Sequence, residues 1–441
     1  MRLGKTFRVL SSAATDGRTA RLGRLTFAGR RAIQTPNYTA VTSRGAVPHL
    51  TPDNLGKFTT VGAVYMALED FVEKMEPPIY QTPVEDQARL HGFTALPSDR
   101  TTILAPRRCP AVLCPMGNST TSVSLFTSTG FSSVTIPQYA AATENLQPDI
   151  VVPLSDSLHT SSTPASKKLM KMVERTEDWV DEYLQHLGGR ERTDELGVSV
   201  FAPVLPVELP IQWGYLKHLA EDVTEALSGL AIYNVNILPE LAGYDSLLPL
   251  PKLSLDPPAT PHEVLRQVAL GVDLCTIPFV NNVSDAGVAL SFSFPPPSAA
   301  PAAPAESRLR PLGVDMWSAD HSTLLTPLAE GCPCYTCTSH HRAFVHHLLN
   351  AREMLGWTLL QIHNQHVMGS FFTGIQRSLG EGLAHFEQVL DRFTAAYEPE
   401  LPEGSGERPR ARGYHFKSEV AQDKINKPGW ADLDGKAVES A

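Results

Sequence analysis

The chain has 441 residues, room for about three average domains or one large α/β barrel, and its 42% hydrophobic content can supply a sizeable core. No run approaches the ~20 apolar residues needed to span a bilayer. The opening residues Met1 to Arg8 lack the apolar core of a secretory signal, although a basic, Ser/Ala-bearing start up to Ala14 leaves an organelle-targeting reading open. A net charge of −10 excludes a broadly basic nucleic-acid coat while permitting a local basic groove.

In chain order, a lead over 1–19 precedes a strand at Arg21 to Phe27, a turn at Ala28-Gly29 and a further extended piece from Ile33 to Tyr38. Apolar runs predict strands at Ala63 to Leu68, which ends in the acidic pair Glu69-Asp70, at Asp149 to Leu154, at Val198 to Pro203 and at Gly229 to Ile232. Leu169, Met172, Val173, Trp179, Val180, Tyr183, Leu184 and Leu187 share one face of a helix; further helices are expected over Tyr215 to Leu227 and His262 to Leu270, the latter leading into Val272-Asp273-Leu274. Alternating strands and helices with polar residues at strand ends indicate a parallel α/β fold. Without a Gly-rich phosphate loop, a (β/α)8 TIM barrel is the expected form, its main part over 20–294.

A strand-like Val288 to Phe294 leads into a stiff Pro/Ala-rich connector over 295–306. Beyond the next segment, Phe372, Ile375, Leu379, Leu383, Phe386, Leu390 and Phe393 step by three and four through a C-terminal barrel helix within 371–400. Gly374, Gly380 and Gly382 soften that helix or admit another backbone. A charged tail over 401–441, poor in large apolar residues, is expected to be mobile.

Between connector and helix, 307–370 reads as an inserted zinc-binding subdomain. Cys332-Pro333-Cys334-Tyr335-Thr336-Cys337 is followed after 25 residues by His363. Three thiolates and one imidazole are the donor set of a closed tetrahedral zinc site. Competing readings are a redox pair or three small buried hydrophobes. His340, His341, His346, His347 and His366 lie nearby. His363 is favoured because Phe344, Leu348, Leu355 and Leu359 predict one helix over Arg342 to Gln361, and a ligand just past its end can fold back over the cysteine loop. The other cysteines, Cys109, Cys114 and Cys275, are scattered; this is no disulfide framework and fits a reducing compartment.

The cluster and its surroundings resemble the tRNA-guanine transglycosylase (queuine tRNA-ribosyltransferase) family. The resemblance rests on Cys332, Cys334 and Cys337, on Arg342-Ala343-Phe344-Val345-His346-His347-Leu348 and on His363-Asn364. It extends upstream to Arg24-Leu25, Gln34 to Tyr38, Val41 to Pro52 and Gly271-Val272-Asp273-Leu274, covering most of residues 20 to 395. It implies a barrel with a zinc subdomain inserted near its C-terminal end, and a base exchange that replaces guanine with queuine at the wobble position of tRNAs with G-U-N anticodons.

In the family's active members an Asp after Gly-(Val/Ile)-Asp-x-Phe attacks the ribose, and two arginines follow. Here Thr276 stands at the nucleophile position and Asn282 and Asp285 replace the arginines. Thr276 has an unactivated hydroxyl, a poor nucleophile and a poor leaving group. The general-base Asp of an Asp-Ser-Gly-Gly segment falls on Cys114, with Gly117 retained. Asp156 lies one residue from the family's base-recognising Asp, and that role is not carried over.

This pattern resembles the family's eukaryotic accessory subunits: no catalytic residues, one structural Zn2+ on Cys332, Cys334, Cys337 and His363, a catalytic partner subunit in a heterodimer, tRNA as joint substrate, and a cytoplasmic place extending to the mitochondrial outer surface. The alternatives are an active transglycosylase using Asp273 as a displaced nucleophile, and a zinc-stabilised nucleic-acid-binding module unconnected with base exchange.

Overall fold

The structure, a computed structural model, describes residues 7–12, 19–73, 76–83, 88–112, 117–127, 129–157, 164–297 and 309–409. Cys114, most of the Pro/Ala-rich connector and the tail beyond 409 lie outside the described residues.

Parallel strands buried on both faces demand near-continuous apolar runs, and those runs form the barrel. Its strands are β1 (Asn37–Val41), β2 (Ala63–Ala67), β3 (Thr101–Ala105), β4 (Ile150–Val151), β5 (Ser199–Val204), β6 (Gly229–Ile232), β7 (Lys252–Ser254) and β8 (Leu274–Ile277). Each pairs with the next, and β8 returns to β1 with Thr276 opposite Thr39, closing the expected (β/α)8 architecture. Alternation divides every strand. Tyr65, Ile103, Ile150, Phe201, Ala231, Leu253 and Leu274 fill the lumen. Val64, Leu104, Val151, Val200, Leu230 and Cys275 meet the surrounding helices. Gly229 makes room for the Phe201 ring, which occupies the place a β-carbon would take.

An antiparallel sheet of Phe7–Ser12, Arg21–Leu25 and Ile33–Thr35 covers the N-terminal end of the barrel. Its Phe7, Leu25 and Ile33 join the lumen cluster. Arginines on and beside it pair with aspartates just before strands: Arg21 with Asp273, Arg30 with Asp149 and Arg31 with Asp99. A strand thus forms inside the stretch read as a lead.

The helices that position the sites are α1 (Ile136–Leu146), α2 (Ser166–His186), α3 (Leu209–Glu221), α4 (Pro261–Ala269) and α5 (Phe279–Asp285), followed by α6 (Tyr335–Ser339), α7 (Arg342–Asn350), α8 (Met354–Gly380) and α9 (Leu383–Ala396). In α2 the predicted face, Met172 to Leu184, is buried. Four expectations change. The helix expected over Tyr215 to Leu227 begins earlier, where Pro210 suits a helix's first turn, and ends at Glu221 before a separate 3-10 turn at Thr224–Ala226. The helix expected over Arg342 to Gln361 breaks after Asn350, with Arg352 at a φ of 58°. Consequently His363 lies inside the 27-residue α8 rather than beyond a helix end. The C-terminal helical run divides at Gly382, whose φ is 118°. Gly374 does admit another backbone, since the Phe294 carbonyl occupies the place of its missing β-carbon. The sequence reading left unmarked β3, α1 and the antiparallel pair Ser122–Thr127 and Gly130–Thr135.

Candidate metal centre and barrel mouth

The metal centre is built from two helices and one strand. Cys334 caps the N-terminus of α6, its Sγ accepting the Cys337 N–H at 3.3 Å. Thr336 Oγ1 donates to the Leu359 carbonyl at 2.7 Å, binding α6 to α8. From α8, His363 Nε2 donates to the Leu290 carbonyl at 2.8 Å, and the next residue, Asn364, accepts the Leu290 N–H on Oδ1, also at 2.8 Å. Adjacent side chains therefore hold both polar groups of one backbone unit in the strand Val288–Leu290. The first of these bonds fixes the imidazole tautomer and aims Nδ1 at the cysteines.

Nδ1 lies 3.7 Å from Cys332 Sγ, 3.5 Å from Cys334 Sγ and 3.4 Å from Cys337 Sγ. All four donor atoms fall within 4.8 Å of one another. Tetrahedral zinc, with bonds of about 2.3 Å to sulfur and 2.0 Å to nitrogen, places sulfur and nitrogen about 3.5 Å apart, so the donors fit this ion. The four groups share protons among themselves, hydrogen bonds to Cys332 and Cys337 pushing the Cys334 thiol far above its ordinary range, and a metal would have to displace those protons on binding. Hydrogen bonds from Cys334 and Cys337 hold the Cys332 thiol far below the ordinary thiol range. Burial alone would lower His363, but hydrogen bonds to Cys332 and Cys337 outweigh it and push the imidazole up to about 9. Packing three sulfurs around one ring nitrogen concentrates negative charge, which a divalent cation relieves. Of the neighbouring histidines, His341 caps α7 and His346 Nδ1 meets the Met316 carbonyl, while His366 reaches Cys332 by a side-chain hydrogen bond.

The mouth is the C-terminal end of the barrel, where ligand sites of this architecture lie. Thr276 is fully buried in the lumen, and its hydroxyl meets the Thr39 hydroxyl at 3.4 Å. Asn282 is exposed on α5, while Asp285 accepts from His49 Nε2 at 2.5 Å. Asp156 is buried, taking Asn118 Nδ2 at 2.7 Å and Arg175 at 2.5 Å. Glu69 accepts the Arg108 and Phe126 N–H groups, and Asp70 accepts Arg108 Nε at 2.7 Å and the Arg44 N–H at 3.0 Å. Burial raises the Glu69 carboxyl above its usual range, against the opposing charge of Arg108. Beside these groups a cavity of about 380 Å³ is lined by residues that include Tyr65, Arg107, Arg108, Cys109, Ser155, Ser157, Pro206, Tyr233 and Pro257. Thr276 is not among its lining residues.

Asp273 lies at the opposite end. Its carboxylate takes Arg21 Nε at 3.0 Å and an Arg21 terminal nitrogen at 2.6 Å, along with the Lys252 N–H at 2.8 Å. It precedes β8 beneath the N-terminal sheet, so a substrate entering at the mouth cannot reach it. Beside it, burial pushes the Lys252 ammonium down to about 7, with Arg21 adding to the effect and Asp273 opposing it. Arg21 and Lys252 carried no local signal in the sequence; only chain closure brings them to Asp273.

A closed eight-stranded barrel with a Cys3His cluster able to hold a metal ion beside its last strands defines a (β/α)8 protein with a metal-site lobe, and comparison with known families resolves the class. The model of the queuine tRNA-ribosyltransferase family matches residues 16–399, and the chain belongs to that family. Among curated relatives it is 36% identical over 407 residues to a Schizosaccharomyces pombe protein named queuine tRNA-ribosyltransferase accessory subunit 2, covering 91% of this chain and 87% of that one. Proteins of the same name from Xenopus tropicalis and Drosophila mojavensis are 29% and 28% identical, each match covering 82% of this chain and 94% and 86% of theirs.

Proposed function

We propose that this chain is the non-catalytic accessory subunit of a heterodimeric queuine tRNA-ribosyltransferase, supporting the exchange of guanine for queuine at the wobble position of G-U-N tRNAs in the cytoplasm. The observation that carries this reading is Thr276. At the family's nucleophile position it offers a buried hydroxyl whose neighbour is another hydroxyl rather than a base, and such a group neither attacks ribose readily nor leaves in a second displacement. The names of the relatives support the same reading.

Zinc on Cys332, Cys334, Cys337 and His363 is structural here, since four protein donors leave no position for a reactive water. It ties the α6 loop to α8 and to the strand at Leu290. The lobe so held exposes Leu324, Leu325, Tyr335, Met354 and Leu355, an apolar surface suited to the catalytic subunit. Toward RNA the favourable feature is α2. It follows β4, so its first turns stand at the rim of the mouth and carry Lys167, Lys168 and Lys171, all exposed, followed by Arg175. Cations there oppose the helix dipole, and Lys167 with Lys171 and Lys171 with Arg175 are like-charged pairs four residues apart. A polyanion at the rim turns that local cost into attraction.

The experiment is exchange of labelled guanine in a G-U-N tRNA by this chain, by the catalytic subunit and by the two mixed. Activity confined to the mixture, or strongly raised in it, supports the accessory role. Exchange by this chain alone refutes it.

A further inference from the structure

The cavity at the mouth retains the size and position of a ligand site although the residues expected for base exchange are replaced around it. Its volume of about 380 Å³ falls within the range of small-molecule pockets. Its charge is one-sided. The nearby carboxylates have partners: Glu69 two backbone N–H groups, Asp70 Arg108 and Arg44, Asp156 Asn118 and Arg175, and Asp256, which lies close enough to act on the lining Cys109, the Val235 N–H. No carboxylate lines the cavity among the described residues.

Two lining groups are poised for an acceptor. Arg107 donates from one terminal nitrogen to the Asn118 side-chain oxygen at 3.1 Å, a neutral partner that leaves the guanidinium charge uncompensated. Ser157 is 4% exposed, and its hydroxyl has no hydrogen-bond partner among the described residues. A buried hydroxyl in this state favours any ligand that supplies an acceptor. A guanidinium beside a free hydroxyl recognises a phosphate, whose several oxygens can accept from both. The walls formed by Pro206, Pro257 and the half-buried Tyr233 are apolar and rigid, and they suit the ring or sugar that carries the phosphate.

We propose that the barrel mouth of this chain binds a small phosphate monoester of nucleotide size, its phosphate held by Arg107 and Ser157. The site is separate from the accessory role. It uses this chain alone, so failure of either reading leaves the other standing.

The test is calorimetric titration of the full zinc-loaded chain with the four ribonucleoside 5′-monophosphates, the four nucleosides, inorganic phosphate and a short RNA stem-loop. At least one monophosphate is expected to bind about tenfold or more tightly than its nucleoside, as the loss of one charge-assisted contact implies. Arg107→Gln should abolish that preference. Ser157→Ala, which removes one buried atom and spares the fold, should weaken binding several-fold. Equal affinity for nucleoside and monophosphate, or an unchanged preference in both variants, overturns the proposal. So does stem-loop binding without any monophosphate binding, which would make the cavity part of an RNA groove instead.

Discussion

At the Cys332–His363 centre four donors converge on one point, and the groups behind them are tied down in turn: His363 and Asn364 on Leu290, Thr336 on Leu359. At the barrel mouth stand Thr276, Asn282 and Asp285, which the proposed reading sets at the family's catalytic positions, with Thr276 against the Thr39 hydroxyl and Asp285 against His49. One region has every group its chemistry requires. The other, on the accessory-subunit reading we propose, has the shell of a site with the reacting groups exchanged for structural ones. The contrast separates shape from chemistry: the lumen and the lobe depend on packing and on the Cys332–His363 cluster, and neither requires a nucleophile.

The largest effect should come from breaking the complete region. Cys334→Ala removes a metal donor and the cap of α6 together, and it forfeits much of the ~10 kcal/mol or more that a structural zinc contributes. Metal analysis should show zinc lost, and thermal unfolding should show the lobe melting before the barrel. Unchanged zinc stoichiometry would end the metal assignment.

The closed end of the barrel provides the next tests. Asp273→Asn leaves the Arg21 guanidinium buried without its counter-charge and should destabilise the fold by roughly 3–5 kcal/mol in urea unfolding. If Asp273 were a nucleophile instead, the variant would keep its stability. Lys252→Met acts in the opposite direction. Above about pH 7 the folded chain has released the Lys252 proton, whereas the unfolded chain holds it to its ordinary value of 10.5. The unfolded state therefore binds more protons between these values, and stability rises with pH by up to ~1.4 kcal/mol per unit. Arg21 already donates to the Leu248 and Leu250 carbonyls that Lys252 also serves, so Met leaves both satisfied. The variant should be more stable at pH 7 and should lose that rise between pH 7 and 9.

What could be read from the sequence followed the range of the forces involved. Metal donors that sit close along the chain stand out by spacing, as Cys332 to Cys337 do; His363 is favoured among several nearby histidines for a place just past a helix end, and it lies inside α8 instead. Buried parallel strands need apolar runs, which marked β2, β5 and β6. The break at Arg352 gave no sign, because Ala351, Arg352 and Glu353 are all good helix formers. It arises from tertiary packing, where Gly356 lets the start of α8 settle on Leu348 and Leu349. The strand expected over Asp149 to Leu154 shrinks to Ile150–Val151, and Pro153 has no N–H to extend the ladder. The ion pair of Arg21 with Asp273 joins residues 252 apart in the chain and has no local trace.

The smallest expected effect is the sharpest test of the mouth. Thr276→Asp restores the family's nucleophile in name, yet labelled-guanine exchange by the variant alone should stay at background. A carboxyl at this depth, beside the Thr39 hydroxyl and with neither of the family's two arginines following it, finds no cation to hold it ionised. Burial then favours its protonated form, which cannot attack ribose. On the proposed reading Cys114 stands at the general-base position, so even an ionised carboxylate introduced at position 276 would lack the partner needed for proton transfer. Vigorous exchange from this single change would mean that the surrounding shell retains more catalytic capacity than its hydrogen bonds imply, and the division between a complete lobe and an emptied mouth would fall with it.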